Sequence, residues 1–187
     1  MSAPLTEWHE DHVKFTQLLD LLEEQVGAFH RGEHPNYDLM SDIVFYLRSF
    51  GDCVHHPRED AAFERLLARK PELGPAINRL LQEHRVIATA GEDLADRLNQ
   101  ATGDVMAPRE GLEAAAATYL VYYRNHLNTE ERDIMPPASE ALTPEDWARV
   151  MATVPHVSDP LFGKDVEARF GELRKQIARE QSLTLQG

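Results

Sequence analysis

Apolar residues recur at every third or fourth position along four long segments of the chain, which is the spacing of α-helices that bury one face. Proline and glycine interrupt this pattern within residues 30–36, 70–71, 102–107 and 136–137, and they indicate turns. The pattern therefore predicts helices over about residues 6–29, 37–69, 72–100 and 108–133. The stripe of the first helix is formed by Trp8, Phe15, Leu18, Leu19, Leu22 and Val26.

Four long helices with short connections favour an all-α fold, an up-down-up-down four-helix bundle over residues 1–140. Residues 141–187 are predicted to form a C-terminal helical extension. Its first helix is capped by Thr143 and ends near Thr153, and a proline-containing link over 154–163 leads to a last helix over 164–180. The stripe of that last helix is expected to pack on the bundle or on a second subunit, so a homodimer is possible. This stripe consists of Val166, Phe170, Leu173 and Ile177.

Composition narrows the classes of partner. The 187 residues are 42% hydrophobic, which is enough for one domain with a core, and the net charge is −13. Such an acidic chain is not expected to bind nucleic acid or an anionic membrane, because both need a basic face. The sequence has no apolar run of about 20 residues and no signal peptide over residues 1–10. Cys53 has no partner for a disulfide, and together these features favour a cytoplasmic protein. We expect the thiol of Cys53 to be buried and inert.

The core-facing stripes are interrupted by polar residues in two matching tetrads, His55-x-x-x-Glu59 and His126-x-x-x-Glu130. Residues four apart lie on one face of a helix, so each tetrad offers an imidazole and a carboxylate in the same direction. His12 lies on the stripe of the first helix, and His84 lies on that of the third. Each of the four predicted helices thus carries one histidine toward the core.

The second helix presents two alternative faces for its polar residues. His55 and Glu59 align with the apolar positions 44, 47 and 66, whereas His56 and Asp60 align with the polar positions 48, 49, 52 and 64. On a regular α-helix the first pair points into the core and the second into water. We therefore predict that His55 and Glu59 belong to the site and that His56 lies at the surface.

The heights of these residues along the bundle provide an independent test. At about 1.5 Å per residue, His12 and His55 lie roughly 26 and 27 Å from the connection between the first two helices. Similar agreement holds across the other two connections, so antiparallel packing brings the whole set to one level. The six predicted site residues are His12, His55, Glu59, His84, His126 and Glu130.

A buried, unpaired carboxylate costs several kcal/mol, and a pair of cations would remove that cost. Six nitrogen and oxygen ligands are too many for one tetrahedral zinc ion but suit two ions bridged by the carboxylates. Iron, manganese and zinc all accept such ligands. This arrangement would leave one coordination position for a small ligand such as O2, NO or peroxide.

Four pieces of the chain carry a family resemblance: Glu10-Asp11-His12, His55-His56-Pro57-Arg58-Glu59-Asp60, Glu83-His84, and His126-Leu127-Asn128-Thr129-Glu130-Glu131 followed by Met135-Pro136. Asp159-Pro160-Leu161-Phe162-Gly163 in the extension is a less specific match. With these motifs the chain resembles the hemerythrin-like (HHE cation-binding) family over residues 5–140. The resemblance implies two iron ions with a bridging oxo or hydroxo group. It also implies five histidines and two carboxylates in the oxygen carriers of the family, one histidine more than the predicted set. Ala88 stands where a second histidine of the third helix would be, and His9 is the candidate for the fifth nitrogen.

Other residues near the site have open interpretations. Glu83 and Glu131 adjoin site histidines but are expected on solvated faces. Pro57 either breaks the second helix or kinks it so that the bundle opens around the metals. A tyrosine of the fourth helix packs in the core or donates a hydrogen bond at the site; the candidates are Tyr119, Tyr122 and Tyr123.

Three functions are compatible with these patterns. The first is a non-haem di-iron protein that binds or senses O2 or NO. The second is a di-iron enzyme of oxidative or nitrosative stress, which consumes peroxide or repairs iron centres. The third is an interaction or storage module in which the metal is only structural.

Overall fold

The computed structural model describes residues 3–102, 109–154 and 157–184, and this part of the chain is helical and contains no strand. Its first four long helical segments, which we call rods, correspond to the predicted helices. The second rod is continuous: Tyr37–Tyr46 is α-helical, Leu47–His55 is π-helical and His56–Arg69 is α-helical again. The bounds are α1 Ala3–His30, α2 Tyr37–Tyr46, the π segment Leu47–His55, α3 His56–Arg69, α4 Gly74–Thr102, α5 Arg109–Asp133, α6 Met135–Ala141, α7 Pro144–Thr153 and α8 Gly171–Thr184, with 3-10 turns at Pro71–Leu73 and Ala168–Phe170.

The long helices enclose a common core. α4 packs on α5, α5 on α1, α1 on α2, and α2 on α4, so the contacts close a ring. The core has two apolar clusters, one that contains Phe15 and Tyr119 and one that contains Trp8 and Phe63. None of the described helices is long and apolar enough to cross a membrane.

The π segment in the second rod was not expected from the sequence. Its widened turns are evident at its end, where the backbone N–H of His56 donates to the carbonyl of Gly51, five residues earlier. Gly51 is needed there because a Cβ atom would lie 2.6 Å from the hydroxyl oxygen of Tyr123. Pro57 follows directly, in the first turn of α3, where its missing N–H costs no helical hydrogen bond. The chain thus accommodates Pro57 by a change of hydrogen-bond register, without a break in the rod.

The extension differs from its prediction in its helix boundaries. The proline pair at 136–137 ends α5 as predicted, but it also begins α6. The predicted cap of α7 is confirmed, because Thr143 and Asp146 form a reciprocal capping box. The last helix begins at Gly171 rather than Lys164, because the preceding residues form turns around Asp159, whose carboxylate accepts from the backbone N–H groups of Leu161 and Phe162.

α8 buries its apolar stripe against the bundle. Phe170, Leu173 and Ile177 belong to the larger core cluster, together with Leu161. Val166, the first residue of the predicted stripe, is exposed instead because it precedes the helix. The predicted loop at 102–107 lies almost entirely outside the described residues, as do residues 155–156 of the link. The boundary between bundle and extension at residue 140 stays a prediction.

Candidate metal centre

The six residues predicted from the sequence are all buried and lie together between the two apolar clusters. Each has a relative exposure of 7% or less. The ring of Phe15 from the larger cluster lies 4.8 Å from that of His55, and the ring of Phe63 from the smaller cluster lies 6.0 Å from that of His84. The six side chains therefore share one region of the core, as their predicted heights require.

The two carboxylates lie among the inward nitrogens of the histidines. Glu59 Oε1 is 2.7 Å from Nε2 of His55 and 3.2 Å from Nε2 of His12, and Glu59 Oε2 is 3.3 Å from Nε2 of His84. Glu130 lies 3.3 Å from Nε2 of His12 and 3.5 Å from Nε2 of His126. Each carboxylate thus reaches histidines of different helices.

His56 also belongs to this cluster, so its predicted surface position was wrong. It is 3% exposed, its ring stacks on His84 at 4.2 Å, and it lies 5.4 Å from the ring of His126. Adjacent helical residues point about 100° apart, and a wide inward face can hold both. His55 turns toward His12 of α1, and His56 turns toward α4 and α5. The adjacent pair His55-His56 before Pro57 was the sequence signal for this arrangement, and the assumption of a single inward face excluded His56.

His9 does not supply the fifth inward histidine. It is 49% exposed, and its Nδ1 lies 2.9 Å from Glu131, outside the cluster. The count of five histidines is reached through His56.

The inward atoms divide into two groups that share Glu59. His56, His84 and His126 form one group with Glu59, and His12 and His55 form the other; within each group the ligand atoms lie within 4.8 Å of one another. Glu130 contacts histidines of both groups. We call these the three-histidine group and the two-histidine group. The cluster therefore offers two sets of metal-ligating atoms.

Several buried atoms at the centre are suited to a cation. Among the described residues, His56 Nε2, Glu59 Oε2 and both carboxylate oxygens of Glu130 find no well-aligned hydrogen-bond partner. Buried polar atoms without partners are costly, and cations that accept these lone pairs would remove the cost. The donor set of imidazoles and carboxylates therefore fits a metal centre.

A carboxylate lies at the outer nitrogen of every histidine in the two groups, which holds each Nε2 inward. Glu83 and Glu131 are two of these partners, so their predicted solvated positions were wrong; each reaches the edge of the centre from a neighbouring helix. The Nδ1–carboxylate pairs are His12–Glu131 at 2.8 Å, His55–Asp11 at 3.2 Å, His56–Asp52 at 3.3 Å, His84–Asp60 at 2.8 Å and His126–Glu83 at 3.3 Å.

The close carboxylates favour the protonated form of several histidines when no cation is bound. Burial lowers the pKa of His12, but the nearby carboxylates of Glu130, Glu131 and Glu59 together outweigh burial and raise that pKa well above the usual value. Burial is likewise outweighed at His84, where the hydrogen bond to Asp60 contributes most to a pKa of about 12. In contrast, burial dominates at His56 and lowers its pKa. The metal-free centre therefore carries protons at pH 7.

Uptake of cations is expected to release these protons, roughly one or more per ion at pH 7, because a metal binds the deprotonated nitrogen. Since the pKa values of His12 and His84 are raised, these protons compete with the metal up to and beyond neutral pH, and affinity should fall as pH falls. Calorimetric titration with Mn²⁺ or Zn²⁺ in two buffers of different ionisation enthalpy measures the release. The exposed variant His34→Ala should release the same number as the wild type, and a heat that is independent of the buffer would contradict the prediction.

The tyrosines of the fourth predicted helix differ in their relation to the centre. Tyr122 is 44% exposed and does not face it, whereas Tyr123 is buried with its ring 5.9 Å from that of His56. Cys53 is exposed, contrary to its predicted burial. A cavity of about 30 Å³ adjoins the two-histidine group, with walls that include Trp8, Trp147 and Val150.

Comparison with known proteins gives one result that agrees with this geometry. A family model described as the hemerythrin HHE cation-binding domain matches residues 3–138. No match was found among curated proteins or among solved structures. The matched region includes both histidine groups and their carboxylates, and it confirms the resemblance inferred from the motifs. The chain therefore belongs to the hemerythrin HHE cation-binding family.

Proposed function

We propose that this protein holds two iron ions and binds or senses a small ligand, O2 or NO, at the ion of the two-histidine group. The observation that carries the proposal is the unequal division of five histidines around two shared carboxylates. The two-histidine ion has one protein ligand fewer and retains a position for an exogenous ligand. Imidazole and carboxylate ligands suit iron, which supplies reversible binding of diatomic molecules and one-electron chemistry when bound.

The sequence predicted four inward histidines, one fewer than the resemblance implies for oxygen carriers. With His56, the inward histidines of the described residues number five, as in that implied set, and this supports reversible O2 binding. We also infer that the four rods run up, down, up and down, because the short connections between them leave little room for a crossover.

The residues of the chain have distinct roles in this proposal. The five imidazoles and two carboxylates hold the ions, and the outer carboxylates keep each imidazole oriented. The indole rings of Trp8 and Trp147 meet at 6.5 Å beside the cavity, and the size of this cavity restricts it to molecules of a few atoms.

Trp8 is also suited to contact a bound ligand. Its indole nitrogen lies 3.0 Å from Nε2 of His12. Once that nitrogen binds a cation, its lone pair is occupied and the indole N–H needs another acceptor. A ligand in the adjoining cavity would provide that acceptor.

Optical spectroscopy of the reduced, iron-loaded protein tests the proposal. We expect a visible charge-transfer absorption after O2 is added without other oxidants, and its loss when O2 is removed. NO should produce a distinct spectrum. A spectrum unchanged by both gases would refute small-ligand binding, and an O2-induced change that does not reverse would favour the enzymatic alternative.

A further inference from the structure

The C-terminal extension reaches the metal centre through a chain of charged contacts. Asp159 Oδ2 accepts a hydrogen bond from Lys14 at 3.2 Å, and Lys14 donates to Asp11 Oδ1 at 2.8 Å. The other oxygen of Asp11 lies 3.2 Å from Nδ1 of His55. These four side chains connect the extension to a histidine of the two-histidine group in three steps.

The extension is held firmly at Asp159, where this series of contacts begins. Asp159 Oδ2 also accepts from the hydroxyl of Tyr46 at 3.1 Å, and that phenol remains protonated because burial raises its pKa. Asp159 Oδ1 accepts from two backbone N–H groups and fixes the following turn. Leu161 in this turn is fully buried in the larger core cluster, and the ring of Phe162 lies 5.8 Å from the Lys14 ammonium. Asp159 is therefore a fixed anchor for Lys14.

Lys14 in turn holds the carboxylate of Asp11 in place beside His55. The ammonium group is partly buried between two carboxylates, and each carboxylate limits where it can move. Asp11 accepts from Lys14 through Oδ1 and faces Nδ1 of His55 with Oδ2, so the position of Lys14 fixes this carboxylate beside the imidazole. A fixed carboxylate acceptor at Nδ1 orients the imidazole and raises its basicity as a ligand.

We infer that Asp159 and Lys14 are positioning residues of the metal centre and that the docked extension completes the two-histidine group. This inference rests on the two-metal proposal but not on the identity of the small ligand. It assigns the extension a role in tuning the ion that retains the free position, while the three-histidine group, whose outer partners are Asp52, Asp60 and Glu83, is independent of it.

Asp159→Asn is a selective test. The asparagine oxygen can replace Oδ1 at the two backbone N–H groups, but its NH2 group then faces two donors, Lys14 and Tyr46. Lys14→Met removes the same link from the other side. We expect either variant to weaken the second of two Co²⁺ binding steps about tenfold and to shift its visible absorption, with the first step unchanged. The double variant should lose no more than either single variant.

Arg169→Gln is the matched control. Arg169 anchors the extension through Asp42 at 3.0 Å, and among the described residues it has no contact with Asp159, Lys14 or Asp11. It should leave both Co²⁺ steps unchanged. Equal weakening in Arg169→Gln, or wild-type behaviour of Asp159→Asn, would overturn the inference. Uptake of fewer than two Co²⁺ ions by the wild type would overturn the two-metal proposal together with it. Normal Co²⁺ binding without a response to O2 or NO would refute only small-ligand binding.

Discussion

Glu59→Gln is expected to abolish stoichiometric metal binding at both positions. Glu59 is a member of both histidine groups, and its two oxygens face different histidines. Glutamine keeps the shape of the side chain but removes the charge and replaces one acceptor oxygen with a donor. Loss of an outer partner usually costs about 10–100-fold in metal affinity, and loss of a bridging ligand should cost more.

Metal analysis after dialysis against a weak chelator measures this effect. The wild type should retain about two ions per chain and Glu59→Gln less than one. Glu64→Gln is the matched control, since Glu64 lies on the same helix, is exposed and does not contact the centre. Retention of two ions by Glu59→Gln would show that the carboxylate does not join the two positions.

The sequence predicted the buried cluster well where the helices are regular. The stripes of α1, α4 and α5 identified His12, His84 and His126 because a polar residue on an apolar stripe stands out at a period of 3.6. The same argument failed at His56, because the π segment and the wide buried face of the second rod let adjacent residues both turn inward. A one-dimensional pattern does not record the change from five-residue to four-residue hydrogen bonding.

The outer carboxylates could not be identified from periodicity for a different reason. Glu83 and Glu131 lie at the edge of the buried face, where the pattern is compatible with either solvent or a neighbouring helix. Each pairs with a histidine of another helix, and this pairing depends on the distance and rotation between helices. The start of α8 was also predicted too early. Asp159 accepts from the backbone N–H groups of Leu161 and Phe162 and so holds a turn ahead of the helix, and the local sequence does not distinguish these contacts from a helix cap.

Removal of the metals is expected to leave the helical fold in place but to lower its thermal stability substantially. Two apolar clusters flank the centre and hold the helices together without it. The metal-free centre, however, retains the buried carboxylates Glu59 and Glu130, with three oxygens that find no well-aligned hydrogen bond among the described residues. Binding to the folded state alone stabilises it by about 4 kcal/mol when free metal is at 1,000 times the dissociation constant.

For a chain of this size, each kcal/mol shifts the Tm by about 2–4 °C, so saturating metal should raise it by roughly 8–16 °C. Thermal unfolding followed by circular dichroism, with and without metal, measures the shift. Glu59→Gln provides the control, because a variant that cannot hold the ions should show almost no metal-dependent shift. Equal Tm values for the metal-free and loaded wild type would contradict tight binding at the buried groups. Loss of helical signal at room temperature on chelation would instead indicate that the metals are required for folding, as in the structural alternative.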